Sequence, residues 1–196
     1  GSMRAIVSRQ NPLFRRLVAV AGEKGADAKK SVLIEGYRLC FDAIESKIPI
    51  EYVVFSDKFD PAKREEMTSA LPFDTDVLCV TESMFRQLAA TKNPQGVACM
   101  FQRPQPIRLR DAAPAGVRYL VLENVQDPGN VGTMVRTADA MGFDGIVVLP
   151  GTADPFGPKA IRSAMGSAFH LPIYVGKDIA EAVRWLHEAG CRVYAG

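Results

Sequence analysis

Short apolar runs separated by stretches of helical length set the pattern of this 196-residue chain. Val32-Leu33-Ile34, Tyr52-Val53-Val54-Phe55, Val77-Leu78-Cys79-Val80 and Gly96-Val97-Ala98-Cys99-Met100-Phe101 read as strands. The intervals Gly36 to Ser46, Pro61 to Ala70 and Glu82 to Ala90 read as helices, with Pro61 suited to a first turn and Thr81 to an N-cap. Strands alternating with helices predict a layered α/β domain. Ahead of them, Asn11 to Gly22 carries Leu13, Leu17, Val18 and Val20, with Arg9, Arg15 and Arg16 on other faces. That spacing predicts a short amphipathic helix with a basic side.

After Arg103 the pattern breaks. Residues 104–116 are rich in proline and small side chains and hold no apolar period, so they read as a linker between a domain at 4–103 and a second at 117–196. The second domain opens with a strand, Tyr119 to Leu122, a tight loop, and a helix from Asn130 to Met141 whose apolar positions are Val131, Met134, Val135, Ala138 and Met141. A strand at 145–149, a turn-rich loop at 150–158, helices near 159–165 and at 179–189, and a strand Arg192-Val193-Tyr194 complete it. An α/β sheet that closes on a strand is unusual, because parallel strands are covered by helices on both faces. The expectation is that further structure belongs after Gly196.

Composition adds exclusions. At 47% hydrophobic and 23% charged, with no apolar run of bilayer length, the chain reads as an ordinary globular protein without a membrane partner. Gly1-Ser2-Met3 resembles a tag scar, and no signal-peptide pattern follows, so the expected compartment is the cytoplasm. Cys40, Cys79, Cys99 and Cys191 are isolated and only His170 and His187 could join them, which argues for buried free thiols over a zinc site or disulfides. The net charge is only +2, yet residues 1–30 hold seven Lys or Arg against two acids.

The chemistry is concentrated in the loop after Leu122. Asp127-Pro128-Gly129 makes a turn, and Asn130 stands where a helix N-cap belongs. Arg136 falls outside the apolar stripe, beside a loop at the C-terminal end of a strand, where open α/β sheets place ligands. The loop is not a dinucleotide fingerprint: Gly-x-Gly-x-x-Gly is absent and Pro128 removes a backbone donor. No Gly-Lys-Ser/Thr of a Walker loop occurs either.

Asp127-Pro128-Gly129-Asn130-Val131-Gly132, Arg136-Thr137-Ala138 and Gly142 resemble the first motif of the SpoU family of RNA ribose 2'-O-methyltransferases, of the knotted SPOUT class. Pro158 to Ser167, followed by Phe169 to Ile173, resembles a second family segment. Ser8 to Pro12, Leu33 to Arg38 and Asn93 to Val97 are similar to the substrate-binding domain of such proteins, an α/β module akin to ribosomal RNA-binding proteins. The resemblance implies a small α/β RNA-binding domain, then a SPOUT-type α/β methyltransferase domain whose trefoil knot region is incomplete here. The family's Gly-Glu-Gly loop and third motif have no counterpart, so cofactor-binding residues are expected beyond Gly196.

The implied reaction methylates a ribose 2'-hydroxyl of RNA, ribosomal more than transfer RNA, with S-adenosyl-L-methionine as donor and a homodimer as the working form. The alternative is a non-catalytic RNA-binding protein that keeps the fold. Under the resemblance Arg136 and Asn130 are catalytic. A guanidinium stays protonated and is a poor base, so Arg136 suits a phosphate and the nascent alkoxide better. A salt bridge from Arg136 to Asp139 or Asp127 is the plainer reading, and Asn130 has two uses open, capping the helix or orienting the ribose. Glu123, Asp127 and Gly132 are expected to support the loop. Arg9, Arg15, Arg16, Lys29, Lys30 and Arg38 are expected to capture RNA.

Overall fold

Four helices begin on a proline, whose fixed φ suits the first turn and whose missing N–H costs nothing there. Three of these prolines follow an Asn or Asp whose side chain accepts from the first backbone N–H groups: Asn11, Asp60 and Asp127. The computed structural model describes residues 3–195, and the chain divides into two compact units, Gly1–Arg103 and Pro104–Gly196.

Unit 1 is built on a five-stranded sheet of β1 (Arg4–Ala5), β2 (Ser31–Glu35), β3 (Ile50–Ser56), β4 (Asp76–Val80) and β5 (Val97–Gln102), in the order β1-β4-β3-β5-β2. β1, β3 and β4 pair in parallel, while β5 runs antiparallel to both β3 and β2. The C-terminal ends of β1, β2, β3 and β4 therefore share one edge of the sheet with the start of β5. Helices α1 (Pro12–Ala21), α2 (Asp27–Lys30), α3 (Tyr37–Glu45), α4 (Pro61–Ser69) and α5 (Glu82–Phe85) fill the connections. Phe14, Leu17 and Val20 of α1 pack on Leu33, Val54, Leu78 and Met100 of the sheet; of the apolar stripe expected of that helix, Leu17 and Val20 are buried and Leu13 and Val18 only partly.

Unit 2 holds β6 (Ile107–Arg108), β7 (Tyr119–Leu122), β8 (Gly145–Val148) and β9 (Ile173–Val175), all parallel, in the order β6-β9-β8-β7. Residues 104–116, expected as a linker, are thus part of this unit: β6 pairs with β9, and the carbonyl of Ala112 accepts from Trp185 Nε1 at 2.8 Å. A two-residue strand is too short to show a period, which is why the sequence hides it. Helices α6 (Pro128–Ala140), α7 (Pro158–Ala164) and α8 (Ile179–Glu188) cover the sheet. Val131, Val135 and Ala138 of α6 join Leu122, Ile146 and Ile173 in one cluster, and Trp185 of α8 meets Tyr119 edge-on and Tyr174 at a tilt in another.

Two expectations fail here. Met134 and Met141 stand 38% and 59% exposed, because the row of α6 that meets the sheet is narrower than the apolar sequence suggests. Arg192-Val193-Tyr194 is not a strand, since none of its backbone pairs in the ladder that ends at β7, and Tyr194 is 83% exposed. All four cysteines are free, with Cys40 and Cys99 buried and Cys79 and Cys191 partly covered. No described helix is long and apolar enough to cross a membrane, and no metal-ligand cluster occurs among the described residues.

Candidate functional site

The loop after β7 is fixed from two sides. Thr152 Oγ1 donates to the carbonyl of Leu122 at 3.1 Å and accepts from the N–H of Val125 at 3.2 Å, and the N–H of Ala153 donates to the Val125 carbonyl at 2.9 Å. Asn124 takes a left-handed conformation at φ 56°, which asparagine tolerates better than most residues. It lies against Gly151, where a Cβ would come within 2.6 Å of Asn124 Oδ1, so only glycine lets the two loops meet. Loops 123–127 and 150–153 form one rigid rim at the C-terminal end of a parallel sheet, the position where such sheets bind ligands.

Asp127 caps α6. Its Oδ2 accepts from the N–H of Asn130 at 2.9 Å, and its carbonyl from the N–H of Val131 at 3.0 Å. The capping role expected of Asn130 is therefore wrong: Asn130 lies in the first turn, three residues past the cap, with its side chain exposed and unbonded among the described residues. The signal that decides between the two acceptors is Pro128, because a proline at the first helical position points to the residue before it. Glu123 stands exposed and makes none of the bonds that fix the loop.

Gly132 is where α6 and α7 touch. A Cβ there would lie 2.4 Å from the carbonyl oxygen of Ala160 and 2.5 Å from Ser163 Cβ, contacts no side chain could make. Arg136 follows in the same helical row, one turn on, and is exposed. No ion pair or hydrogen bond engages its side chain among the described residues. Both carboxylates that could neutralise it are turned to other side chains: Asp127 Oδ1 lies 3.9 Å from Lys159 Nζ, and Asp139 Oδ2 lies 3.3 Å from His170 Nδ1. The salt bridge that would have made Arg136 a structural residue does not form.

Asn130 and Arg136 do not converge on one point. Six residues of α-helix set them about 9 Å apart along the axis and about a third of a turn apart around it. Asn130 shares its side with Met134 and Thr137, while Arg136 shares its side with Gly129 and Gly132. The Met134 side borders an open groove of about 960 Å³, walled by Leu120, Leu122, Val125, Ile179 and Val193. That size suits a small molecule. The lining is mostly apolar, with Tyr119, Phe143 and Tyr194 among the aliphatic side chains and Glu123, Arg118 and Arg192 as its charged ones.

In unit 1 the expected RNA-capturing cations separate. Arg9 donates to Ser83 Oγ at 2.6 Å and, with Arg15, Lys24 and Gln87, lines a groove of about 320 Å³. Arg16 is taken up internally, 3.5 Å from both Asp27 and Glu51. Lys29 and Lys30 end α2 just before β2, at the opposite end of the sheet from Arg38, which opens α3.

Residues 118–196 match the model of the SpoU rRNA Methylase family, and residues 11–99 match that of an MRM3-like substrate binding domain. Aligned over 196 residues, the chain is 33% identical to the 23S rRNA (guanosine(2553)-2'-O)-methyltransferase RlmP of Bacillus subtilis, covering 98% of this chain and 73% of that protein. The chain belongs to the SpoU rRNA methylase family. A crystal structure of AdoMet-bound rRNA methyltransferase from Sinorhizobium meliloti has a TM-score of 0.80 to it at 32% identity, over 96% of this chain and 70% of that one. The mitochondrial rRNA methyltransferase 3A of Danio rerio is 32% identical over 160 residues, 78% of this chain and 35% of that protein. The loop from Asp127 to Gly132 and the helix bearing Arg136 lie inside the SpoU match, and β2, β3 and β4 of the mixed sheet, with the start of β5, lie inside the substrate-binding match.

Proposed function

We propose that this SpoU protein transfers a methyl group from S-adenosyl-L-methionine to a ribose 2'-hydroxyl of ribosomal RNA. The observation that carries the reading is Arg136: an exposed guanidinium on the helix that follows a rigid sheet-end loop, without a carboxylate partner among the described residues, while Asp127 lies by Lys159 and Asp139 by His170. The relatives support the substrate class, being named rRNA methyltransferases, one structure of them with AdoMet bound.

The donor supplies an electrophilic methyl on a sulfonium, so charge is neutralised as the ribose oxygen attacks. What the protein must add is in-line positioning and an easier loss of the hydroxyl proton. Arg136 is the positioning cation: its fork holds a phosphate beside the target ribose and lowers the cost of the developing alkoxide. Asn130, freed of capping by Asp127, offers an amide to orient the ribose. A homodimer belongs to the same reading, because Asn130 and Arg136 diverge on one helix and a second copy offers a way to face one with the other.

The test is incubation of the protein with unmodified ribosomal RNA and methyl-labelled S-adenosyl-L-methionine, followed by nucleoside mass spectrometry. A 2'-O-methyl nucleoside is expected; label on bases alone, or none, overturns the reading. Arg136→Ala is expected to lower the rate roughly a hundredfold, the size of a lost transition-state donor, with helix content unchanged. Full activity in that variant removes Arg136 from the mechanism.

A further inference from the structure

The parallel pairing of unit 1 brings five loops to one edge of its sheet: those after β1, β2, β3 and β4, and the one before β5. In strand order this edge carries Arg9 beyond β1, Lys58 beyond β3, Lys92 ahead of β5 and Arg38 beyond β2. All four are exposed, and across four strand spacings they span about 19 Å.

The acids of the same edge keep their charge but are tied into local bonds, Asp60 among them as the cap of α4. Glu35 Oε1 accepts from the N–H of Gln95 at 2.7 Å, and Gln95 Oε1 accepts from the N–H of Tyr37 at 2.8 Å. The two loops they join turn at Gly36 and Gly96, at φ 112° and 92°, backbone shapes that exclude other residues at little cost only to glycine. Asp57 Oδ1 accepts from the N–H of Glu82 at 3.0 Å, and the Glu82 carboxylate lies 3.4 Å from Arg86. Glu66 accepts from the hydroxyl of Tyr37 at 2.9 Å. Arg9 touches only the neutral hydroxyl of Ser83, and no bond engages the side chains of Arg38, Lys58 or Lys92 among the described residues.

Carboxylates that brace the loops and cations left open make a pre-ordered polycation edge. We infer that Arg9, Lys58, Lys92 and Arg38 dock the phosphate backbone of the substrate RNA on this edge, and that Gln95 is a positioning residue which holds two of the loops in register. The inference rests on the proposed RNA-modifying function and names the surface that it uses. It adds Lys58, Lys92 and Gln95 to the expected contacts and sets Arg16, Lys29 and Lys30 aside. Contacts of this kind fix position and are read as salt dependence, not as base selectivity.

The test is a titration of the full chain with fluorescein-labelled unmodified ribosomal RNA over a salt series. The double variant Lys58→Ala/Lys92→Ala is expected to bind roughly tenfold more weakly, with the log–log salt slope reduced by about one per residue removed. Lys177→Ala/Arg184→Ala, which removes as much charge from unit 2, is expected to keep the wild-type slope. Gln95→Ala is expected to weaken binding without changing the slope, since no phosphate contact is lost. Wild-type affinity and slope in the Lys58/Lys92 variant overturn the docking edge, as does a loss that appears instead in Lys29→Ala/Lys30→Ala. Methyl transfer by the wild type is measured in parallel. If transfer occurs while the edge variants bind normally, the enzyme reading stands and the edge falls; if the wild type neither binds nor methylates RNA, both fall.

Discussion

The loop edges of the two sheets use one device to different ends. In unit 1, Glu35 and Asp57 accept from loop N–H groups, Glu82 pairs with Arg86, and four cations along the edge are left without a carboxylate partner among the described residues. In unit 2, Asp127 and Asp139 face Lys159 and His170, and on α6 the Arg136 guanidinium is left without a partner among the described residues. Four spread cations suit a long polyanion, where each contributes a modest, salt-screened share. A guanidinium on the helix that a rigid loop starts suits a reacting centre, where misplacement alone is expensive. Removing any one residue should therefore matter far more in unit 2 than in unit 1.

The sharpest break of that contrast is Arg136→Lys. Charge is kept but the planar fork is lost, so the rate of methyl transfer should fall about as far as in the alanine variant, by roughly 3 kcal/mol of barrier. A lysine enzyme that retains most of its activity would make Arg136 a point charge, no different in kind from the cations of unit 1.

Next in size is Gly132→Ala. The added methyl meets the backbone of Ala160 and Ala164 and the Cβ of Ser163, none of which can swing away. Overpacking of this kind costs about 1 to 3 kcal/mol, offset by about 1 kcal/mol of gained helix propensity. The chain's single tryptophan, Trp185, lies in unit 2 and is packed by Tyr119 and Tyr174, so its fluorescence follows this unit during urea unfolding. A lower midpoint is expected; an unchanged one would mean that α6 and α7 are free to separate.

A smaller effect separates capping from charge at Asp127. Asp127→Ala should cost about 1 kcal/mol through the lost bond to the Asn130 N–H. Asp127→Asn should cost much less, because the cap survives and the exposed contact to Lys159 at 3.9 Å is worth little. If the asparagine variant is as weak as the alanine one, the ion pair and not the cap secures the loop.

How far these features were legible follows from their range along the chain. Local signals read well: the helix starting near Asn11, Pro61 in a first helical turn, Thr81 as an N-cap, and the apolar runs of β2 to β5 are all in the sequence. The Asp127-Pro128 pair was equally local, and the competing Asn130 obscured it. What the sequence concealed is set by pairing partners far away. β6 and β9 are too short to carry a period and exist because β8 bonds β9 and β9 in turn bonds β6. Lys58 and Lys92, 34 positions apart in number, become neighbours in function only once the strand order is known. The exposure of Met134 and Met141 likewise depends on which side of α6 the sheet takes. Arg136 was found by motif, yet its open state rests on where Lys159 and His170 fall in space.

The subtlest prediction concerns the brace of unit 1, and its sign is set by burial. Half-burial pushes the Glu35 carboxyl above its ordinary range, with the bond from the Gln95 N–H pulling the other way. A carboxyl raised in the folded state binds its proton more tightly folded than unfolded. Stability is therefore greatest below the ordinary glutamate range and falls as pH rises through the raised value, so at neutral pH the charge is a net cost. Glu35→Gln keeps an oxygen to accept from Gln95 and removes that cost. Unit 1 should then melt at or slightly above the wild-type temperature at neutral pH, with the difference vanishing in acid, as followed by far-ultraviolet circular dichroism. A neutral-pH loss would show that the charged bond to Gln95 outweighs its desolvation. The acids of this edge would then be stabilising in their own right, rather than the cost of leaving its cations free.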